Sequence, residues 1–270
     1  MTARHVKVGH KKFRRFAIAS LAFLVATTTA AWAEKPVCRA SRQLLELGQP
    51  LPVTRAAVQD KKQVRIVAMG SSSTQGYGAT NPMFSYPSQL KIKLDAALPG
   101  VEVHVFNKGV GGQDAEEELA RMHHDVMPEH AQLVVWQVGT NSAIRRYPLE
   151  KFAQKLRAGI DVGRELGVEF VMMNLQYVPA IVALPDEEEY ARVMADVAKE
   201  KKVGLFRRFE IMRAWYDDGM PYAQFVNNDG LHLNDFGQKC IGLLLARSIL
   251  NAVKPEQLGG MANEQIKEPK

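Results

Sequence analysis

The stretch VRIVAMGSSSTQGYG, residues 64–78, decides how the chain is read. Its first six residues are apolar apart from Arg65 and rich in β-branched side chains, the pattern of a strand buried in a sheet. The next nine are mostly glycine, serine and threonine, which break the strand and form a turn at its carboxyl end. Similar short apolar runs recur at residues 101–106, 133–138, 170–175 and 203–206. Helical patterns fall between and after them, at 114–124, 149–166, 187–201 and 235–250. In the second of these Phe152, Leu156 and Ile160 share one face and Gly167 supplies a stop. Glu116, Glu117 and Glu118 suit the first turn of the 114–124 helix. Strands alternating with helices predict an α/β fold, a parallel sheet with helices on both faces.

Outward from this core, residues 34–62 are polar and mixed and read as an N-terminal arm, 63–254 as one domain, and 255–270 as a loose C-terminal tail. Residues 1–33 have another character. Lys11, Lys12, Arg14 and Arg15 precede an apolar run ending in Ala31-Trp32-Ala33, the layout of a secretory signal peptide with its cleavage site. The run is short for a membrane span, so export to the periplasm or medium is expected, without stable membrane insertion after cleavage. That segment carries six of the 35 Lys and Arg and none of the 29 Asp and Glu, so the mature chain is near neutral. Its charge gives no reason to expect a nucleic-acid partner. In an oxidising compartment Cys38 and Cys240, the only two cysteines, are a disulfide candidate.

Open α/β sheets bind ligands beyond the carboxyl ends of their strands. Four segments stand there: Gly70–Gly78 after the first strand, Asn107–Gln113 after the second, Gly139-Thr140-Asn141 after the third, and Asp229-Gly230-Leu231-His232 before the last helix. A serine hydroxyl becomes a nucleophile when an imidazole takes its proton, and a carboxylate orients that imidazole. Asp229 and His232 are spaced for one turn to hold them together. Gly112 precedes a helix start, where free N–H groups favour an anion, and Asn141 offers a side-chain amide to the same oxygen. Each segment alone is a common turn; the four together, in this order, carry the signal.

The set resembles the SGNH (GDSL-type) hydrolase superfamily over most of residues 64–250. Gly70–Gly76 matches G-D-S-x-T-x-G except that Ser71 replaces Asp, and Leu233 stands where many members have Pro. The resemblance implies a three-layer α/β/α flavodoxin-like fold with a five-stranded parallel sheet in the order 2-1-3-4-5. It implies Ser72 as nucleophile, Asp229 and His232 as its partners, and an oxyanion hole from the Ser72 and Gly112 N–H groups and the Asn141 amide. It further implies ester or thioester hydrolysis through an acyl-enzyme, with no metal and no cofactor. The expected substrate is a small-molecule or carbohydrate ester with a short, acetyl-type acyl group. The alternatives are a lysophospholipase or thioesterase, an O-acyltransferase, and a silent glycan-binding module on the same fold.

Other features are two-sided. His123, His124 and His130 lack a carboxylate or thiol at ligand spacing and read as packed or solvated side chains. Tyr77, Phe84, Tyr86, Tyr147 and Tyr177 flank strand ends and either line a cleft or pack its rim. Arg145 and Arg146 read as a solvated pair or as contacts to an anionic or sugar-bearing substrate.

Overall fold

The computed structural model describes residues 37–253 together with the first two. The segment 1–33 expected to be a signal peptide and the tail after residue 253 otherwise lie outside the described residues. Five parallel strands form one sheet in the order β2-β1-β3-β4-β5. They are β1 (Gln63–Gly70), β2 (Glu102–Gly109), β3 (Leu133–Gln137), β4 (Glu169–Met173) and β5 (Gly204–Phe206). Every residue of β3 is buried, and Val64, Ile66, Val67, Ala68 and Met69 of β1 are too, which is why these runs read as nearly continuous apolar sequence. The parallel registers bring Gly70 level with Gly109 and Met69 level with Trp136. The chain therefore leaves β1, β2 and β3 at one edge of the sheet.

The helices, in chain order, are α1 (Pro52–Ala56), α2 (Ser72–Gln75), α3 (Tyr86–Ala97), α4 (Ala115–Val126), α5 (Thr140–Ile144), α6 (Leu149–Glu165), α7 (Pro179–Val182), α8 (Glu187–Lys201), α9 (Arg208–Asp217) and α10 (Asp235–Val253). On α6 the expected face of Phe152, Leu156 and Ile160 is buried. Gly159 and Gly163, one turn apart, bring α6 close to the sheet. A Cβ at Gly159 would meet Trp136 at 2.5 Å and one at Gly163 would meet Phe170 at 2.0 Å. Six helices among the described residues were not anticipated from sequence: the short α1, α2, α5 and α7, and the longer α3 and α9. Of the longer two, the first carries Pro87 in its opening turn and packs Leu90 and Leu94 inward. Among the described residues no helix is long and apolar enough to cross a membrane.

The segment 37–62 is more than a polar lead-in. Leu45, Leu47 and Leu51 are buried, and the Leu47 carbonyl accepts from Leu205 N–H at 3.0 Å, pairing with the short edge strand β5. The Glu169 carboxylate accepts from Val53 and Thr54 N–H at 2.8 and 2.9 Å, satisfying free donors at the start of α1. Trp215 Nε1 donates to the Arg39 carbonyl at 2.6 Å. A Cys38–Cys240 disulfide then joins the segment to α10 across 202 residues of sequence.

Candidate active site

β1 ends where the chain must bend sharply. A Cβ on Gly70 would fall 2.3 Å from Thr74 Oγ1 and 2.7 Å from the Gln137 carbonyl oxygen, so only glycine fits. Ser72 opens α2 directly after this bend and is half-buried. Its Oγ lies 2.9 Å from His232 Nε2, and His232 Nδ1 lies 2.6 Å from Asp229 Oδ2. The other carboxylate oxygen of Asp229 accepts from Leu231 and His232 N–H at 3.0 and 2.9 Å. Burial pushes the Asp229 carboxyl upward, but the hydrogen bonds from His232 and Leu231 outweigh it and hold the group below the usual range. Hydroxyl, imidazole and carboxylate thus stand in series, the order that activates a serine.

The loop carrying Asp229 and His232 is a tight excursion. Val226 bridges to Leu233 in antiparallel fashion, Asn227 N–H donates to the His232 carbonyl at 2.8 Å, and Gly230 turns with φ +69°. Leu233, the departure from the usual proline, is a core residue with 2% exposure. The loop after Ser72 grips this excursion. Asn227 Nδ2 donates to the Gly78 carbonyl at 2.8 Å, and Thr80 donates through N–H and Oγ1 to Asp235 at 2.8 and 2.6 Å.

Gly112 and Asn141 are brought to the same edge. Gly111 lies so near Ser72 that a Cβ there would be 3.9 Å from Ser72 Cβ, and Gly112, at φ +82°, has no atom within 4 Å of where a Cβ would stand. Asn141 Nδ2 donates one hydrogen to the Gln113 carbonyl at 2.8 Å; the amide group has a second. Asp114 caps α4 through a capping box with Glu117. Arg145 resolves its two readings as an ion-paired strut: it donates to Asp114, Glu117 and the Gly112 carbonyl.

Three glutamines in the site were missed by sequence reasoning. Gln137 Oε1 accepts from Ser71 N–H, Ser71 Oγ and Thr74 Oγ1 at 3.1, 3.2 and 3.1 Å. Ser71 is therefore bound into the floor of the site through Gln137. Thr74 Oγ1 also meets Tyr86 Oη at 2.8 Å; burial keeps that phenol protonated and able to donate. Gln176 joins three segments: it accepts from Ser73 Oγ at 3.0 Å and Thr140 Oγ1 at 3.4 Å, and donates to the Leu231 carbonyl at 2.9 Å. Gln238 accepts from Tyr86 N–H at 2.9 Å. All three are almost fully buried. Tyr86 is thus floor packing, whereas Tyr77 is 61% exposed with its ring 4.4 Å from the His232 ring. Tyr147 bonds Glu116 at 2.6 Å, and Tyr177 packs edge-on against Phe209. Among the described residues no three His, Cys, Asp or Glu side chains are grouped to hold a metal; His124 pairs with Asp125 at 3.1 Å.

Comparison with known proteins bears on the fold and the family. The chain is 23% identical over 187 residues to an arylesterase of Vibrio mimicus, covering 69% of this chain and 88% of that protein. It is 22% identical over 195 residues to thioesterase 1/protease 1/lysophospholipase L1 of Escherichia coli K12, covering 72% and 86%. An acetylxylan esterase from Geobacillus stearothermophilus shares the fold with a TM-score of 0.58 at 19% identity, over 71% of this chain and 94% of that one. The model of the Non-GDSL lipase-like family matches residues 37–255, most of the chain. The protein therefore belongs to the Non-GDSL lipase-like family, and its enzyme class is that of the SGNH/GDSL ester hydrolases.

Proposed function

We propose that the protein is an exported serine esterase that removes short acyl groups, acetyl first, from small or carbohydrate esters. The observation that carries the mechanism is the unbroken series from Ser72 Oγ through His232 to Asp229. His232 Nε2 takes the Ser72 proton as Oγ bonds to the acyl carbon. The carbonyl oxygen becomes an oxyanion facing the Ser72 and Gly112 N–H groups and the second Asn141 amide hydrogen. The intermediate collapses by breaking the bond to the alcohol oxygen, which receives the proton from His232. Water, deprotonated by the same imidazole, then attacks the acyl-enzyme and releases the acid and Ser72.

The signal-type segment at residues 1–33 supports export, and so does the disulfide, since such bonds persist in oxidising compartments. The acetylxylan esterase among the structural neighbours fits an acetyl substrate on a sugar. One observation favours longer acyl chains: Val110 and Ile144, beside the oxyanion positions, are 43% and 40% exposed and offer an apolar path. An ester panel from acetyl to palmitoyl, on wild type beside Ser72→Ala, separates the readings. Each methylene seated in an apolar groove adds about 0.8 kcal/mol. A kcat/KM that climbs steadily to octanoyl overturns the short-chain reading.

A further inference from the structure

Tyr77 stands five residues after Ser72, beyond the turn at Gly76, and its N–H donates to the Ser72 carbonyl at 2.9 Å. Its ring lies 4.4 Å from the imidazole of His232, tilted by 55°, while 61% of the residue is open to solvent. The loop that carries it is not free to move. A Cβ on Gly76 would meet Ser85 at 2.7 Å, and one on Gly78 would meet the Leu233 carbonyl oxygen at 2.5 Å. Asn227 and Asp235 bond the loop from the far side. A bare aromatic ring is thus held at a fixed place beside the imidazole.

The stereochemistry of acyl transfer says what that place faces. The acyl carbon carries four groups in the intermediate: Ser72 Oγ, the oxyanion, the acyl chain and the alcohol oxygen. The oxyanion points to the donors on the loops after β2 and β3. The alcohol oxygen must lie within reach of the imidazole, because it leaves with the imidazole's proton. The exposed ring beside that imidazole is Tyr77, on the side from which the alcohol leaves.

We propose that Tyr77 is the platform for the alcohol part of the ester, and that it selects alcohols bearing a ring, aryl or pyranose, that lies flat on its exposed face. The inference rests on the Ser72–His232 assignment above. Ring contacts of this kind are worth about 2- to 12-fold in rate.

The test holds the acyl group at acetyl and varies the alcohol: ethyl acetate, phenyl acetate and a mono-acetylated methyl pyranoside. Selectivity is kcat/KM for each ring ester divided by that for ethyl acetate. Comparing variants within each substrate cancels intrinsic leaving-group reactivity. Tyr77→Leu is expected to lower this ratio by about 2- to 12-fold, and Tyr77→Phe, which keeps the ring, to retain it. The arm that falls, phenyl or pyranoside, identifies the ring. Equal losses on all three esters overturn the platform and leave Tyr77 as a prop for His232, and no loss on any overturns both roles. Ser72→Ala is run alongside: if it turns over ester, the serine assignment fails, whereas a dead Ser72→Ala with an unchanged Tyr77→Leu ratio sinks only the platform. Fluorophosphonate labelling of the Tyr77 variants shows that Ser72 is still assembled.

Discussion

Arg145 Nη2 donates to the carbonyl oxygen of Gly112 at 2.8 Å, while Nη1 holds Asp114 and Glu117 at 2.6 and 2.8 Å. One guanidinium thus fixes a backbone carbonyl and the cap of the helix that follows it. Hydrogen-bonded oxyanion donors act only when their geometry is set before the reaction. Arg145 is expected to act as a positioning residue, through its contacts to the loop.

Arg145→Ala is expected to lower kcat by roughly 10- to 100-fold, the scale of a 1 Å misplacement, with a smaller change in KM. Arg145→Lys keeps one contact and recovers part of the loss. Steady-state kinetics on acetyl esters checks this, and an unchanged kcat would show that the loop holds itself.

Ser72→Ala should reduce turnover on the order of 10⁴-fold or more. Ser71→Ala and Ser73→Ala should keep measurable activity, because those hydroxyls bond Gln137 and Gln176 and not the imidazole. A dead Ser73→Ala beside an active Ser72→Ala would reverse the assignment.

Asn141→Ala should lower kcat by about 10²–10³-fold with little change in KM, since the lost donor serves charge present only in the transition state. The mutation also removes the bond to the Gln113 carbonyl. Arg145→Ala, which frees the same loop, separates the two effects: if both variants lose the same amount, Asn141 acts through the loop alone.

The acid limb of kcat/KM should titrate with a slope of one. Asp229 is held below the usual carboxylate range. A depressed folded pKa gives stabilisation that is complete above the unfolded value, about 3.9, and lost only as pH falls through the folded one. From neutrality to about pH 4 the carboxylate keeps its charge, so Asp229 adds no second proton to the acid limb. A slope of two would place Asp229 in the same titration.

Breaking the disulfide with Cys38→Ser should lower Tm. The loop of 202 residues corresponds to an entropic contribution of at most about 5 kcal/mol. Non-reduced peptide mapping with thermal melts checks the bond and its effect together.

The sheet was legible because burial on both faces writes itself as continuous apolar sequence, and all five runs became strands. The site was legible where it depends on spacing: Asp229 and His232 share one loop, and Gly112 and Asn141 sit directly beyond strand ends. Gln137 and Gln176 were not legible, because a glutamine earns its place by what converges on it from segments distant in sequence. Each does stand at or near the carboxyl end of a strand, where a polar side chain after a buried run is a signal of its own. Helix α3 was obscured by Pro87 and by burial against α10, where a Cβ on Gly242 would meet the Tyr86 carbonyl oxygen at 2.7 Å. The pairing of Leu47 with β5 was hidden because edge coverage depends on which segment lies beside the strand, which local sequence does not encode.

The partners Ser72 and His232 are separated by 160 positions along the chain. Synthesis delivers Ser72 long before His232, and Cys240, which fastens the arm to α10, arrives later still. A partly synthesised chain is therefore inert toward esters. The series from Ser72 to Asp229 can assemble only once both ends of that span exist, so latency before then is a by-product of chain order.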